Sequence, residues 1–261
     1  MEGPRALRAP HRRQAILSLL LMGLASASCV YSPPPLLSYA QTADTLGRGR
    51  GSVGVEVGVG TAGSWWNAGN LGDPEITTKA VGASRLRLGI GDHWDMGVVG
   101  AAGPQGAYVA GPELKWRFAH LAETETEGAP SFNAAWISGF AVGSALYPHE
   151  YTPAPRHFFL APYTGLLASG GIRVVQMFVG LRLAASETLG NHEMDLTLYP
   201  VLAFGVQFRP THLLTFVAES DLAGGFTTHD MRDSAIIGFL SIGASVAFDE
   251  LWGDHPAVPL R

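Results

Sequence analysis

From Gly51 onward, apolar residues recur at every second position. "GSVGVEVGVG" places Val53, Val55, Val57 and Val59 on one face, with Ser52, Gly54, Glu56 and Gly58 on the other. "SRLRLGIG" sets Leu86, Leu88 and Ile90 against Arg85, Arg87 and Gly89, and "ELKWRF" sets Leu114, Trp116 and Phe118 against Glu113, Lys115 and Arg117. "VVQMFVGLRL" and "LTLYPVLAFGVQFR" continue the same alternation. Successive side chains of an extended chain point to opposite sides, so the pattern predicts strands with one apolar face. Ten candidate strands follow, near 51–61, 77–91, 96–103, 107–119, 132–147, 157–169, 172–185, 196–209, 213–226 and 235–248.

A sandwich and a membrane barrel both alternate, so the second face decides between them. A soluble sandwich hides its apolar face and shows a charge-rich one. Here the second face carries Gly, Ser and Ala with sparse charges. Many candidate strands reach about ten residues, against a soluble mode of five or six, and about nine to eleven tilted residues span a bilayer. The predicted fold is all-β: a transmembrane antiparallel up-and-down barrel of about ten strands, with eight to twelve compatible with the spacing. An even count puts both chain ends on one side. "GDHWD", "SGG" and "RPTHL" are short, as periplasmic turns are, whereas 62–76, 148–156, 186–195 and 227–234 are longer outer loops. The 120–131 connection is long yet falls on the turn side. Pro162 and Pro200 interrupt two strands, which predicts bulges or strand ends there. Trp94, Trp116, Trp136, Tyr147 and Tyr151 are candidates for interfacial girdles. Two alternatives are a soluble secreted β protein and a helical membrane protein, the latter because 129–148 and 158–172 carry few or no ionisable groups.

Composition narrows the chemistry. Charged residues make up 15% and Lys occurs only twice, against about 25% charged in an ordinary soluble domain. Without residues 1–28 the chain keeps 13 basic and 21 acidic side chains, which argues against a nucleic-acid partner. No phosphate-binding loop, dinucleotide fingerprint, HExxH or G-x-S-x-G occurs, so no cofactor is expected. The predicted lumen face gathers Glu56, Arg85, Arg87, Glu113, Lys115, Arg117, Arg182, Arg209, Glu219 and Asp221. Such a set lines a selective pore or forms a salt-bridge plug in a barrel too narrow to conduct. The plug is the favoured reading, giving a structural or surface-display barrel, with a narrow diffusion channel as the alternative. His149–Glu150, His192–Glu193 with Asp195, and His229–Asp230 lie in three predicted outer loops. His149, His192 and His229 are weak metal candidates, and with their acids they are the basis for a rim-hydrolase alternative. Their spacing supports neither, and the chain is not expected to be an enzyme.

The N-terminus adds an address. Arg5, Arg8, Arg12 and Arg13 precede an apolar run, 15–25, that is too short to span a bilayer, and small residues follow. Cleavage within "ASASC" falls either after the "ASA" of Ala25–Ala27 or before Cys29, the only cysteine. This region resembles the signal of bacterial lipoproteins: Ala27, Ser28 and Cys29 fit their lipobox, with Ser26 where Leu is usual. The resemblance implies a signal peptide, 1–28, lipid on Cys29, and a Pro-rich tether, 29–50, ahead of a barrel over 51–248 and a tail over 249–261. "SIGASVAF", ending at Phe248, resembles the terminal recognition strand of outer-membrane proteins. Its implied partners are outer-membrane lipid and the outer-membrane assembly machinery. The expected location is the outer membrane, with both termini on the periplasmic side. Replacing the acylated sulfur tests this reading: Cys29→Ser should abolish incorporation of a labelled fatty acid while leaving the protein in the membrane fraction, since the barrel is a second attachment.

Overall fold

A computed structural model describes residues 39–64, 77–103, 108–122, 129–146, 156–189, 196–227 and 235–248. The strands are β1 (Gly51–Ser64), β2 (Thr77–Gly89), β3 (Trp94–Ala102), β4 (Tyr108–Ala122), β5 (Ser131–Leu146), β6 (Arg156–Gly171), β7 (Val175–Leu189), β8 (Leu196–Phe208), β9 (Leu214–Thr227) and β10 (Ala235–Phe248). Each pairs antiparallel with its sequence neighbours, and β1 pairs with β10 to close the ring. This is the predicted up-and-down barrel. The stretches weighed as helical spans are β5 and β6, and no described helix is long and apolar enough to cross a membrane. The 120–131 connection does lie at the turn end, where Ala122 faces Ser131.

The stagger follows from the registers. A line leaving β1 at Gly51 runs through Leu88, Met96, Leu114, Ser138, Thr164, Leu183 and Pro200. It returns through Ile236 to Gly63, twelve residues further along β1. A stagger of this kind is what tilts the strands of a closed barrel.

Alternation sorts the side chains onto two faces. Met177, Leu181, Leu240 and Ile242 project outward and are at least 60% exposed, among more than thirty exposed large apolar side chains. Leaving one such side chain in water costs about 1.5–3 kcal/mol relative to apolar surroundings, so this belt calls for a hydrocarbon environment. Trp94, Trp116 and Trp136 form one register line across β3, β4 and β5, with the Trp94 and Trp116 rings stacked 5.6 Å apart. Tyr147 and Tyr151 lie outside the described residues. The core sits inside the ring, where Val99, Val109, Ala141, Phe159, Ala161, Tyr163 and Ala203 are buried.

The prolines correct one expectation. Pro162 and Pro200 sit at neither bulges nor strand ends. β6 and β7 pair at Leu160–Glu187 and again at Tyr163–Ala184, and β8 and β9 at Leu198–Phe226 and Val201–Ala223. The ladder skips two residues and resumes in unchanged register. Pro112 does the same between β4 and β5. All three prolines are exposed on the outer face, and each keeps its pairing to the strand on its other side. A proline lacks the N–H that one ladder needs, so the gap is local. The true bulge lies in β4 between Arg117 and Ala119. It shifts the alternation by one, which brings His120 to the lumen side, where Nδ1 meets Asn133 Oδ1 at 2.7 Å.

A charge on the apolar belt tests the two-faced reading. Leu181→Arg should cost about 2–4 kcal/mol of stability for a protein folded into phospholipid vesicles, measured by urea titration of tryptophan fluorescence, if Leu181 lies near the bilayer midplane. A near-zero change would mean that this face meets water.

Candidate functional site: the lumen and its plug

Residues 39–50 run inside the barrel. The sequence reading assigned 29–50 to a stand-off tether, but the described part of that stretch occupies the lumen, and 29–38 lie outside the described residues. Tyr39, Gln41, Thr42 and Ala43 are buried. The segment descends from mid-lumen to the turn end, where Gly49 N donates to Gly89 O at 2.9 Å and Gly89 N to Arg50 O at 2.8 Å. Gly47 and Gly49 take φ of +82° and +78°, which lets the chain reverse into β1.

The barrel reads this segment largely through its backbone. Both oxygens of Glu219 accept from successive amides, Tyr39 N and Ala40 N, each at 2.6 Å. Ala40 has φ of +41°, rare for a residue with a side chain. A left-handed residue in this position turns neighbouring N–H groups to one side and forms an anion-binding nest. The strain of order 1–3 kcal/mol is set against two charge-assisted bonds to a buried carboxylate. Further along, Ala43 N donates to Ser169 Oγ at 3.1 Å and Leu46 N to Asp95 Oδ1 at 3.0 Å. The carbonyls are taken by cations: Arg85 donates to Tyr39 O, and Lys115 Nζ to Thr42 O at 3.2 Å and to Asp44 O.

Side chains fix the two ends. The Tyr39 ring lies on Gly180, where an added Cβ would stand 2.5 Å from it, and against Gly165. Arg182 covers the ring with its guanidinium carbon 4.0 Å from the centroid, and the same carbon is 5.0 Å from the centroid of Tyr163. A desolvated cation over an aromatic face is worth about 2 kcal/mol. Tyr163 donates to Glu113 Oε2 at 3.0 Å, and Gln41 Nε2 to Glu113 Oε1 at 2.9 Å. At the turn end, Asp44 accepts from Arg117 at 2.8 Å and from Arg209 at 3.5 Å.

The ten predicted lumen residues fall into two neighbouring groups. Arg87, Lys115, Arg117 and Arg209 surround Asp44 and Asp95 near the turns, with Arg87 paired to Asp95 and Lys115 Nζ 3.3 Å from it. Glu56, Arg85, Glu113, Arg182, Glu219 and Asp221 face the lumen higher up, with Arg85 Nε 3.5 Å from Glu113. Counting Asp44 and Asp95 with the ten, six carboxylates face six cations. Ion pairs this buried are stable only when each member is satisfied, and Asp44 brings one of the six acidic groups from outside the wall. Beside Ala40, a cavity of about 40 Å³ is lined by Ser52, Glu56, Ser84, Arg85, Arg87 and Ser245, among others, which is room for a few waters. Val55, Val99 and Val217 also line it, and it is far smaller than a solute pathway.

Sequence reasoning missed Tyr39, Gln41, Asp44 and Asp95. The parity of β3 carried a signal for Asp95, since Asp95, Gly97, Val99 and Ala101 alternate with Trp94, Met96 and Val98. Residues 39–50 carried only a weak one: they lack the prolines of the preceding stretch. His149, Glu150, His192, Glu193, Asp195, His229 and Asp230 lie outside the described residues. Among the described residues no group of three or more metal-type ligands converges.

No family model matches the chain, and no curated protein matches it in sequence. It is similar in structure to the attachment invasion locus protein of Yersinia pestis, at 15% identity and TM-score 0.29 over 77% of this chain and 99% of that one. It is also similar to the outer membrane protease OmpT from Escherichia coli, at 11% identity and TM-score 0.38 over 79% and 99%. A third similar structure is an outer membrane channel from Pseudomonas putida F1, at 11% identity and TM-score 0.42 over 84% and 100%. At these identities the likeness is one of fold alone and transfers no role.

Proposed function

We propose that the chain is an outer-membrane β-barrel with a structural or surface-display role, its lumen sealed by its own residues 39–50. The observation that carries this reading is the occupied lumen. Buried Tyr39 and half-buried Asp44 anchor the segment at its two ends, and Glu219 and Lys115 hold its backbone between them. The apolar outer belt and the closed ring support a membrane location, because a ring without edges leaves no strand unpaired in lipid. Acidic and basic side chains interleaved on the wall favour a seal over a selective lining, which would present one dominant sign to a passing ion.

Two measurements test this. On fractionation the protein should sediment with the outer membrane and migrate faster on a detergent gel unboiled than boiled, as folded barrels do. Absence of both properties would remove the membrane reading. In planar bilayers the purified full-length protein should give no reproducible unitary step. A step of constant size would place the chain among narrow diffusion channels instead.

A further inference from the structure

The contacts that seat residues 39–46 are those of a peptide receptor. We propose that the lumen wall is a binding site for a short peptide with an aromatic residue five positions before a carboxylate, occupied at rest by Tyr39–Asp44 of this chain. The inference rests on the sealed-lumen reading and gives the seal a ligand chemistry.

Three features of the geometry carry it. The wall satisfies four backbone amides and three backbone carbonyls of the segment with side chains, a mode that reads the main chain and its left-handed turn at Ala40 more than the sequence. Sequence is read at the two ends. A slot floored by Gly180 and roofed by Arg182 takes an aromatic ring, and the Arg117–Arg209 pair takes a carboxylate. Slot and pair belong to the barrel wall (β4, β7 and the β8–β9 turn), not to the segment, so the site stays on the wall if the segment leaves. The resident segment holds the site because it is covalently attached. A short connection gives it an effective concentration of order millimolar, which excludes a free peptide present at micromolar levels. Removing its two anchors lowers the segment's own affinity for the wall, so that a free peptide keeping both competes with it.

The test uses the full-length protein in detergent micelles and a fluorescein-labelled peptide with the sequence of residues 39–50, read by anisotropy. The wild type should show no saturable binding. The Tyr39→Ala/Asp44→Ala variant should bind at least tenfold more tightly than wild type, and adding Gly180→Val, which fills the slot, should return binding to the wild-type level. A peptide with both anchors changed to Ala should bind at least tenfold more weakly than the unaltered one. No saturable binding to a double variant that keeps its boiling-dependent gel shift would overturn the proposal. So would binding that Gly180→Val leaves undiminished, which marks adsorption to the micelle or the outer surface. If the double variant does not fold, Asp44→Ala alone serves with the same expected direction. Anisotropy does not depend on ion flow, so a conducting wild type would sink the seal while this result stood or fell separately.

Discussion

Glu219 sits in mid-lumen with both oxygens committed to consecutive amides of a segment that precedes the first strand. A carboxylate buried this deeply is stable only with donors, and Glu219 stands on a wall that holds several other acids. Glu56 and Asp221 are buried on the same side of the ring. The N-terminal segment meets that need with backbone N–H groups, at the cost of a left-handed Ala40. At the turn end the demand is reversed: four cations converge where the wall offers Asp95, and Asp44 brings a second carboxylate. One twelve-residue stretch therefore brings backbone donors to an acid at one end and a carboxylate to the cations at the other. The small residues Gly165 and Gly180 leave the room that Tyr39 fills, whereas those of β1 and β10 leave the cavity beside Ala40.

The barrel itself was legible because period two is a property of the covalent chain: a strand in lipid cannot hide a charge on its outer face, so the alternation must be written into the sequence. That is why the ten strands, the side of the 120–131 connection and the inward parity of Arg85, Lys115 and Arg182 follow from reading alone. The plug was not legible for the converse reason. Residues 39–46 are held by backbone groups that every sequence possesses, so their side chains record little of the site they occupy. Tyr39 leaves its trace on Gly165 and Gly180, far away in the chain, where a glycine in a strand reads only as a weak point.

The prolines teach a related lesson. A sequence rule that excludes proline from strand interiors assumes that every ladder bond is needed. In a ring whose registers are fixed by nine other seams, one missing bond at Pro162 or Pro200 leaves the pairing on either side undisturbed. The closed topology tolerates what an open edge would not.

The reversal at Gly47–Gly49 joins the plug to β1, and β1 is one of the two strands that close the ring. The seam between β1 and β10 links the first strand of the chain to the last, so it forms only once the whole chain is available, and it is the pairing of longest sequence separation in the fold. When β1 docks it carries the plug with it. The occupant of the lumen is thereby tethered to the closing strand of its own wall, and the same covalent link makes withdrawal of the occupant a pull on the seam.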